Sequence, residues 1–143
     1  MEQERYIKEA ISILEDINKL IVNKHFSTLE FEITPKQFLI LKAVRGEQPV
    51  NIHTVASRYD FSMSSTSQLV NKLENEGYII RSINPKNRRE IILTLGERGE
   101  KFWESYDRID VLVTERYYSK LSVEETVQLR DFAKKLYGII TGE

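Results

Sequence analysis

Apolar residues recur at helical spacing from the start of the chain. Ile7, Ile11, Leu14, Ile17 and Ile21 form one stripe, and no Gly or Pro interrupts it before Pro35. A helix of about 26 residues here spans about 40 Å at 1.5 Å per residue. Thr34-Pro35-Lys36-Gln37 then reads as a helix start, with Thr34 as cap, Pro35 at the first helical position and Gln37 closing a capping box. Phe38, Leu41 and Val44 give that second helix its apolar face, and Gly46 and Pro49 end it. Asn51 caps a third short helix that turns Ile52, Val55 and Ala56 inward and stops near Tyr59. After the break Tyr59-Asp60-Phe61-Ser62, a fourth helix buries Leu69, Val70 and Leu73 and ends at Gly77.

The period then changes. Residues 78–83 and 89–95 are rich in β-branched and aromatic side chains, and Asn84-Pro85-Lys86-Asn87 between them reads as a turn. A two-stranded hairpin is predicted. Gly96 and Gly99 bracket the start of a fifth helix with a stripe of Phe102, Tyr106, Ile109, Val113 and Tyr117. Ser122-Val123-Glu124-Glu125 is a second capping box, and opens a final helix carrying Leu129, Phe132, Leu136 and Ile140.

The resulting fold class is mainly α with a small β-hairpin: a winged helix-turn-helix joined to a helical dimerisation region. Two short helices with a tight connection form a helix-turn-helix, and a hairpin directly after it is a wing. A lone hairpin is marginal in water, so it needs a partner. It either packs as structure on a helical bundle or reaches a nucleic acid. One domain, residues 1–143, is predicted. Within it residues 33–96 form the winged part, and residues 1–32 and 97–143 the helical dimerisation part.

Charge bears on that choice. The net charge of −1 looks wrong for a nucleic-acid binder, but it is unevenly spread. Residues 1–32 hold 4 basic and 7 acidic side chains, residues 33–96 hold 9 and 5, and residues 97–143 hold 8 and 10. A positive middle lies between negative ends, and the local field is what steers a polyanion. The absence of cysteine removes a disulfide framework, a thiolate zinc site and a thiol redox sensor. No run of 18 apolar residues occurs, and the charged N-terminus does not resemble a signal peptide, so a cytoplasmic protein with no membrane partner is expected.

The fourth helix opens with Ser62, Ser64, Ser65, Thr66, Ser67 and Gln68. Serine and threonine are poor helix-interior residues, so helix stability does not account for them. Small hydroxyl side chains let a helix enter a major groove and donate to phosphates or base edges, and Gln68 can pair with adenine through two hydrogen bonds. Asn71 and Lys72, one turn on, suit the backbone. Alternatively, the serines are an exposed helix start with capping roles. In the hairpin, Arg81, Lys86, Arg88 and Arg89 lie within nine residues with no acid between Arg81 and Arg89. At a wing tip such a cluster matches phosphate and minor-groove contact.

The wing sequence resembles the MarR family. There an aspartate, a variable residue (often arginine) and an arginine are followed after three residues by Leu, one residue, Leu-Thr, two residues and Gly. This chain has Asn87-Arg88-Arg89-Glu90-Ile91-Ile92-Leu93-Thr94-Leu95-Gly96-Glu97-Arg98-Gly99, and residues 69–79 are similar to the family's end of the recognition helix. The resemblance covers about 40 residues in motif and the whole chain in element order. It implies a sequence-specific transcriptional regulator, a repressor in the first instance, acting on double-stranded DNA. It places Arg89 at the minor-groove position, with Asn87 where the family has its steadying aspartate. Gly96 stands for the usual threonine, and Gln68 stands where many relatives have arginine. The other reading is a winged-helix protein-interaction module with no DNA specificity of its own.

The long terminal helices carry Ile11, Leu14, Phe102, Tyr106, Leu129, Phe132 and Leu136, more apolar surface than a small winged domain covers. A homodimer is expected, and two-fold symmetry implies a pseudo-palindromic operator. The family resemblance also implies a small amphipathic effector, with Phe26, Phe38 and Trp103 as candidate lining residues. His25 and His53 have no metal-spaced companions, and no nucleophile–base pair or phosphate loop is present, so no metal, cofactor or catalysis is expected.

Overall fold

The computed structural model describes all 143 residues. Their elements are α1 (Glu2–Ile21) running into a π-helical turn (Val22–Phe26), α2 (Pro35–Gly46), β1 (Val50–Asn51), α3 (Ile52–Arg58) and α4 (Met63–Asn75). These are followed by β2 (Ile79–Asn84), β3 (Asn87–Leu95), α5 (Glu97–Arg116), a 3₁₀ turn (Tyr118–Lys120) and α6 (Val123–Thr141). Two compact units emerge, Leu29–Tyr106 and Met1–Thr28 with Asp107–Glu143. The division falls a few residues from 32/33 in the first half. In the second it moves from 96/97 to 106/107, because the first half of α5 packs with the winged unit.

In the winged unit both predicted caps form. Thr34 accepts from the Gln37 amide and Gln37 accepts from the Thr34 amide, so two of the orphan donors at the start of α2 are satisfied reciprocally. Asn51 caps α3 through the His53 amide, at 2.7 Å. The core gathers Ile40, Leu41 and Val44 of α2, Val55 of α3, Val70 and Leu73 of α4, then Tyr78, Ile79, Leu93 and Phe102. The sheet has three strands rather than two. Val50 and Asn51 pair antiparallel with Leu93 and Ile92, giving the order β1-β3-β2. A two-residue strand has no readable period, so only the hairpin is legible in the sequence; β1 and the buried Ile79 and Leu93 together anchor that hairpin in the unit.

The α4–β2 connection is a Schellman ending. Gly77 takes φ +84°, its amide donates to the Glu74 carbonyl, and the Tyr78 amide reaches back to that of Leu73. The start of α5 presses on this turn. A Cβ on Gly96 would lie 2.4 Å from the Gly77 carbonyl oxygen, and one on Gly99 would lie 2.2 Å from that of Tyr78. Gly96 is therefore more than a tolerable cap, since the close backbone approach itself demands glycine. Phe102, Trp103, Phe38 and Tyr106 stack at centroid distances of 5.1–6.4 Å. Phe102 and Trp103 are buried in this unit, which withdraws Phe102 from the apolar surface expected to meet a partner chain.

The helical unit contains α1, the π turn, the latter part of α5, the 3₁₀ turn and α6. Ser122 and Glu125 complete the second capping box. The His25 ring meets the Tyr117 hydroxyl at 2.8 Å. Ile11, Leu14, Leu129, Phe132, Leu136 and Ile140 are exposed, Phe132 by 71% and Ile140 by 75%. No helix is long and apolar enough to cross a membrane.

Candidate nucleic-acid interface

The start of α4 is set by the turn before it. Asp60 adopts φ 55°, a left-handed conformation that aspartate tolerates better than most side chains, and the Phe61 amide donates to the Ala56 carbonyl. Ser62 then caps α4 by accepting from the Ser65 amide at 3.1 Å. Within α4 the two faces separate by helical period. Thr66, Val70 and Leu73 are buried, whereas Ser64, Gln68, Asn71 and Lys72 are exposed along the other side. Ser65 and Ser67 flank that stripe, half-buried.

Thr66 is a correction. It is fully buried, and its hydroxyl donates to the Ser62 carbonyl at 2.8 Å. Its place between Ser65 and Ser67 suggested another polar contact, but its spacing from Val70 and Leu73 puts it on the core face. The sequence carried that signal in the i, i+4, i+7 relation.

The wing is β2, β3 and the turn Pro85-Lys86. Asn84 accepts from the Lys86 amide at 3.0 Å, and Asn87 accepts from the Arg89 amide at 3.2 Å. A neutral Asn87 thus steadies the backbone of Arg89. Lys86, Arg88 and Arg89 are exposed and make no ion pair. Their charge is directed to solvent, in the same unit as the stripe on α4.

Arg81 differs from those three. Its guanidinium donates to the Asn71 side-chain oxygen and lies 3.3 Å from the Glu74 carboxylate. The residue is half-buried and ties β2 to α4. Asn71 and Arg81, both expected at the interface, are thus engaged with each other.

Of the three candidate effector residues, two lie in one compact unit and one in the other. Phe38 and Trp103 belong to the aromatic stack of the winged unit, and Phe26 to the π turn of the helical unit. Trp103 is 6% exposed, its indole N–H has no hydrogen-bond partner, and the Arg45 guanidinium sits 4.5 Å over its ring. The winged unit also carries an open groove of about 450 Å³ lined by Glu30, Phe31, Gly77, Glu97, Arg98 and Lys101, which includes none of the three. Arg98 stacks there on Tyr78, at 4.8 Å, and Phe31, at 5.8 Å.

Residues 33–91 match the model of the MarR family. The chain is 27% identical over 115 residues to the HTH-type transcriptional regulator SarZ of Staphylococcus saprophyticus, which covers 80% of this chain and 77% of SarZ. It is 28% identical over 104 residues to the HTH-type transcriptional repressor MdtR of Bacillus subtilis, covering 73% and 67%. The fold is shared with Streptococcus pneumoniae FabT, solved in complex with DNA, at a TM-score of 0.79 and 19% identity over 96% of this chain and 98% of FabT. Members of the matched family are transcriptional regulators, not enzymes.

Proposed function

We infer, from a chain that carries a MarR-family domain over residues 33–91, that this transcriptional regulator binds double-stranded DNA sequence-specifically as a homodimer on a pseudo-palindromic operator. One observation carries the reading. An exposed stripe of Ser64, Gln68 and Lys72 on α4 and the unpaired cations Lys86, Arg88 and Arg89 on the wing belong to a single compact unit. The first offers small polar groups to a major groove, and the second offers charge to phosphates and a minor groove. FabT has been solved with DNA, which supports the same use of this fold. MdtR is a repressor, which favours repression as the mode of action.

Dimerisation is inferred from the helical unit. It leaves Ile11 and Leu14 of α1 and Leu129, Phe132 and Leu136 of α6 exposed, apolar side chains whose cover by a second copy would supply the second reading helix. A small amphipathic effector is part of the proposal. Trp103, with its unpartnered N–H, is the residue that favours it. Selection of bound sites from random duplexes tests the reading. Recovery of a two-fold symmetric motif is expected. Recovery of no motif, with binding that does not depend on salt, points instead to a protein-interaction module.

A further inference from the structure

Glu90 is the only acid among residues 79–95, and it stands beside Arg89 in the segment proposed to approach a polyanion. Electrostatics alone makes it a liability there. Its contacts give it a use. One carboxylate oxygen accepts from the Asn51 side-chain amide at 2.7 Å, and the other accepts from that of Asn84 at 3.0 Å. Each asparagine is held from its other end. Asn51 oxygen accepts from the His53 amide at the start of α3, and Asn84 oxygen accepts from the Lys86 amide in the wing turn. Both NH₂ groups therefore have to face Glu90, and a group with two acceptor oxygens and no donor satisfies both. These hydrogen bonds, that from Asn51 foremost, hold the Glu90 carboxyl below the ordinary carboxylate range, so it stays ionised. The backbone adds to the need for such a tie, because the β2–β3 register shifts between Ile83 and Asn84.

We propose that Glu90 is a positioning residue of the wing: through Asn51 and Asn84 it fixes the hairpin turn to the start of α3, so that Arg88 and Arg89 are presented in one arrangement. The proposal rests on the DNA-binding reading for its purpose, but the tie itself is a property of the free protein.

The two accounts of Glu90 predict opposite signs. Glu90→Gln removes a negative charge and would tighten DNA binding if charge alone mattered. As a positioning residue its loss weakens binding, by about tenfold, the scale of one charge-assisted hydrogen bond. Asn84→Ala, which changes no charge, weakens binding to a similar extent. In an Arg89→Ala background the effect of Glu90→Gln shrinks, because one of the two arginines it positions is gone; a general loss of stability would add in full. Tighter binding by Glu90→Gln, or an undiminished loss in the Arg89→Ala background, would overturn the proposal. Amide hydrogen exchange in the free protein supplies a second readout. Glu90→Gln should speed exchange of the Lys86 amide while the amides of Val70 and Leu73 keep wild-type rates. Unchanged exchange at Lys86 overturns the tie whether or not the protein binds DNA. Failure of wild-type protein to bind duplex, with exchange at Lys86 raised in the variant, would defeat the DNA-binding reading and leave the tie standing.

Discussion

Arg81 on β2 holds α4 by its guanidinium, which donates to the Asn71 side chain and pairs with the Glu74 carboxylate at 3.3 Å. A cation used in this way serves DNA binding differently from one that meets phosphate. Arg81→Ala should lower affinity by letting the wing shift relative to the reading helix, and should leave the salt dependence nearly as it was. Lys72→Ala, at an exposed position, should weaken all sequences alike and reduce the salt slope by about one per reading head. Binding titrations at several salt concentrations separate the two. A fall in slope for Arg81→Ala would return Arg81 to the phosphate contacts.

The glycines at the start of α5 give a stability prediction. With the Tyr78 carbonyl only 2.2 Å from a built Cβ, Gly99→Ala forces backbone apart and should cost about 1–3 kcal/mol or more. Gly46→Ala is the matching control. Nothing lies within 4 Å of its Cβ, and a helical alanine gains about 0.5–1 kcal/mol over glycine. Denaturant unfolding should move the two midpoints in opposite directions.

Thr66 and Gln68 are two residues apart and should behave unlike each other. Thr66→Val deletes a buried hydroxyl donor, but the Ser62 carbonyl keeps the Thr66 amide at 2.9 Å, so the stability cost should not exceed about 1 kcal/mol. Site preference should be unchanged. Gln68→Ala should leave stability alone and relax preference at one base position per half-site, worth about 1–3 kcal/mol of discrimination. Selected-site motifs for the two variants check both. A uniform loss for Gln68→Ala with an unaltered motif removes it from base reading.

These contrasts show what the sequence could disclose. Helix starts were legible because caps are local chemistry: Thr34, Asn51, Ser62 and Ser122 each bond an amide two or three residues on. The exposed wing cations were legible as a run without acids. The tertiary roles were not. Nothing local to Arg81 announces Asn71 and Glu74, ten and seven residues away, and nothing local to Glu90 announces Asn51, 39 residues away. Phe102 and Tyr106 share a helical stripe with Val113, yet burial in the winged unit depends on Phe31 and Phe38 meeting them across the fold. The π turn at Val22–Phe26 has no sequence mark, and its residues read as plain helix.

The dimer prediction now rests on the helical unit alone. Phe132→Asp with Leu136→Asp places two charges on an exposed apolar surface, so the fold should survive while association is lost. Sedimentation should give about twice 16.8 kDa for the intact chain and 16.8 kDa for the variant, with loss of tight operator binding. An intact chain that is monomeric at micromolar concentration and still binds a palindromic site tightly contradicts it.

The central claim is tested most directly by duplex binding of wild type and Arg89→Ala across a salt series on the selected operator. Wild-type affinity should fall steeply and log-linearly as salt rises. Arg89→Ala should bind about 1–3 kcal/mol more weakly per reading head, with a shallower slope and an unchanged circular dichroism spectrum. Wild-type binding that ignores salt, or a folded Arg89→Ala protein with undiminished affinity and slope, would contradict the account.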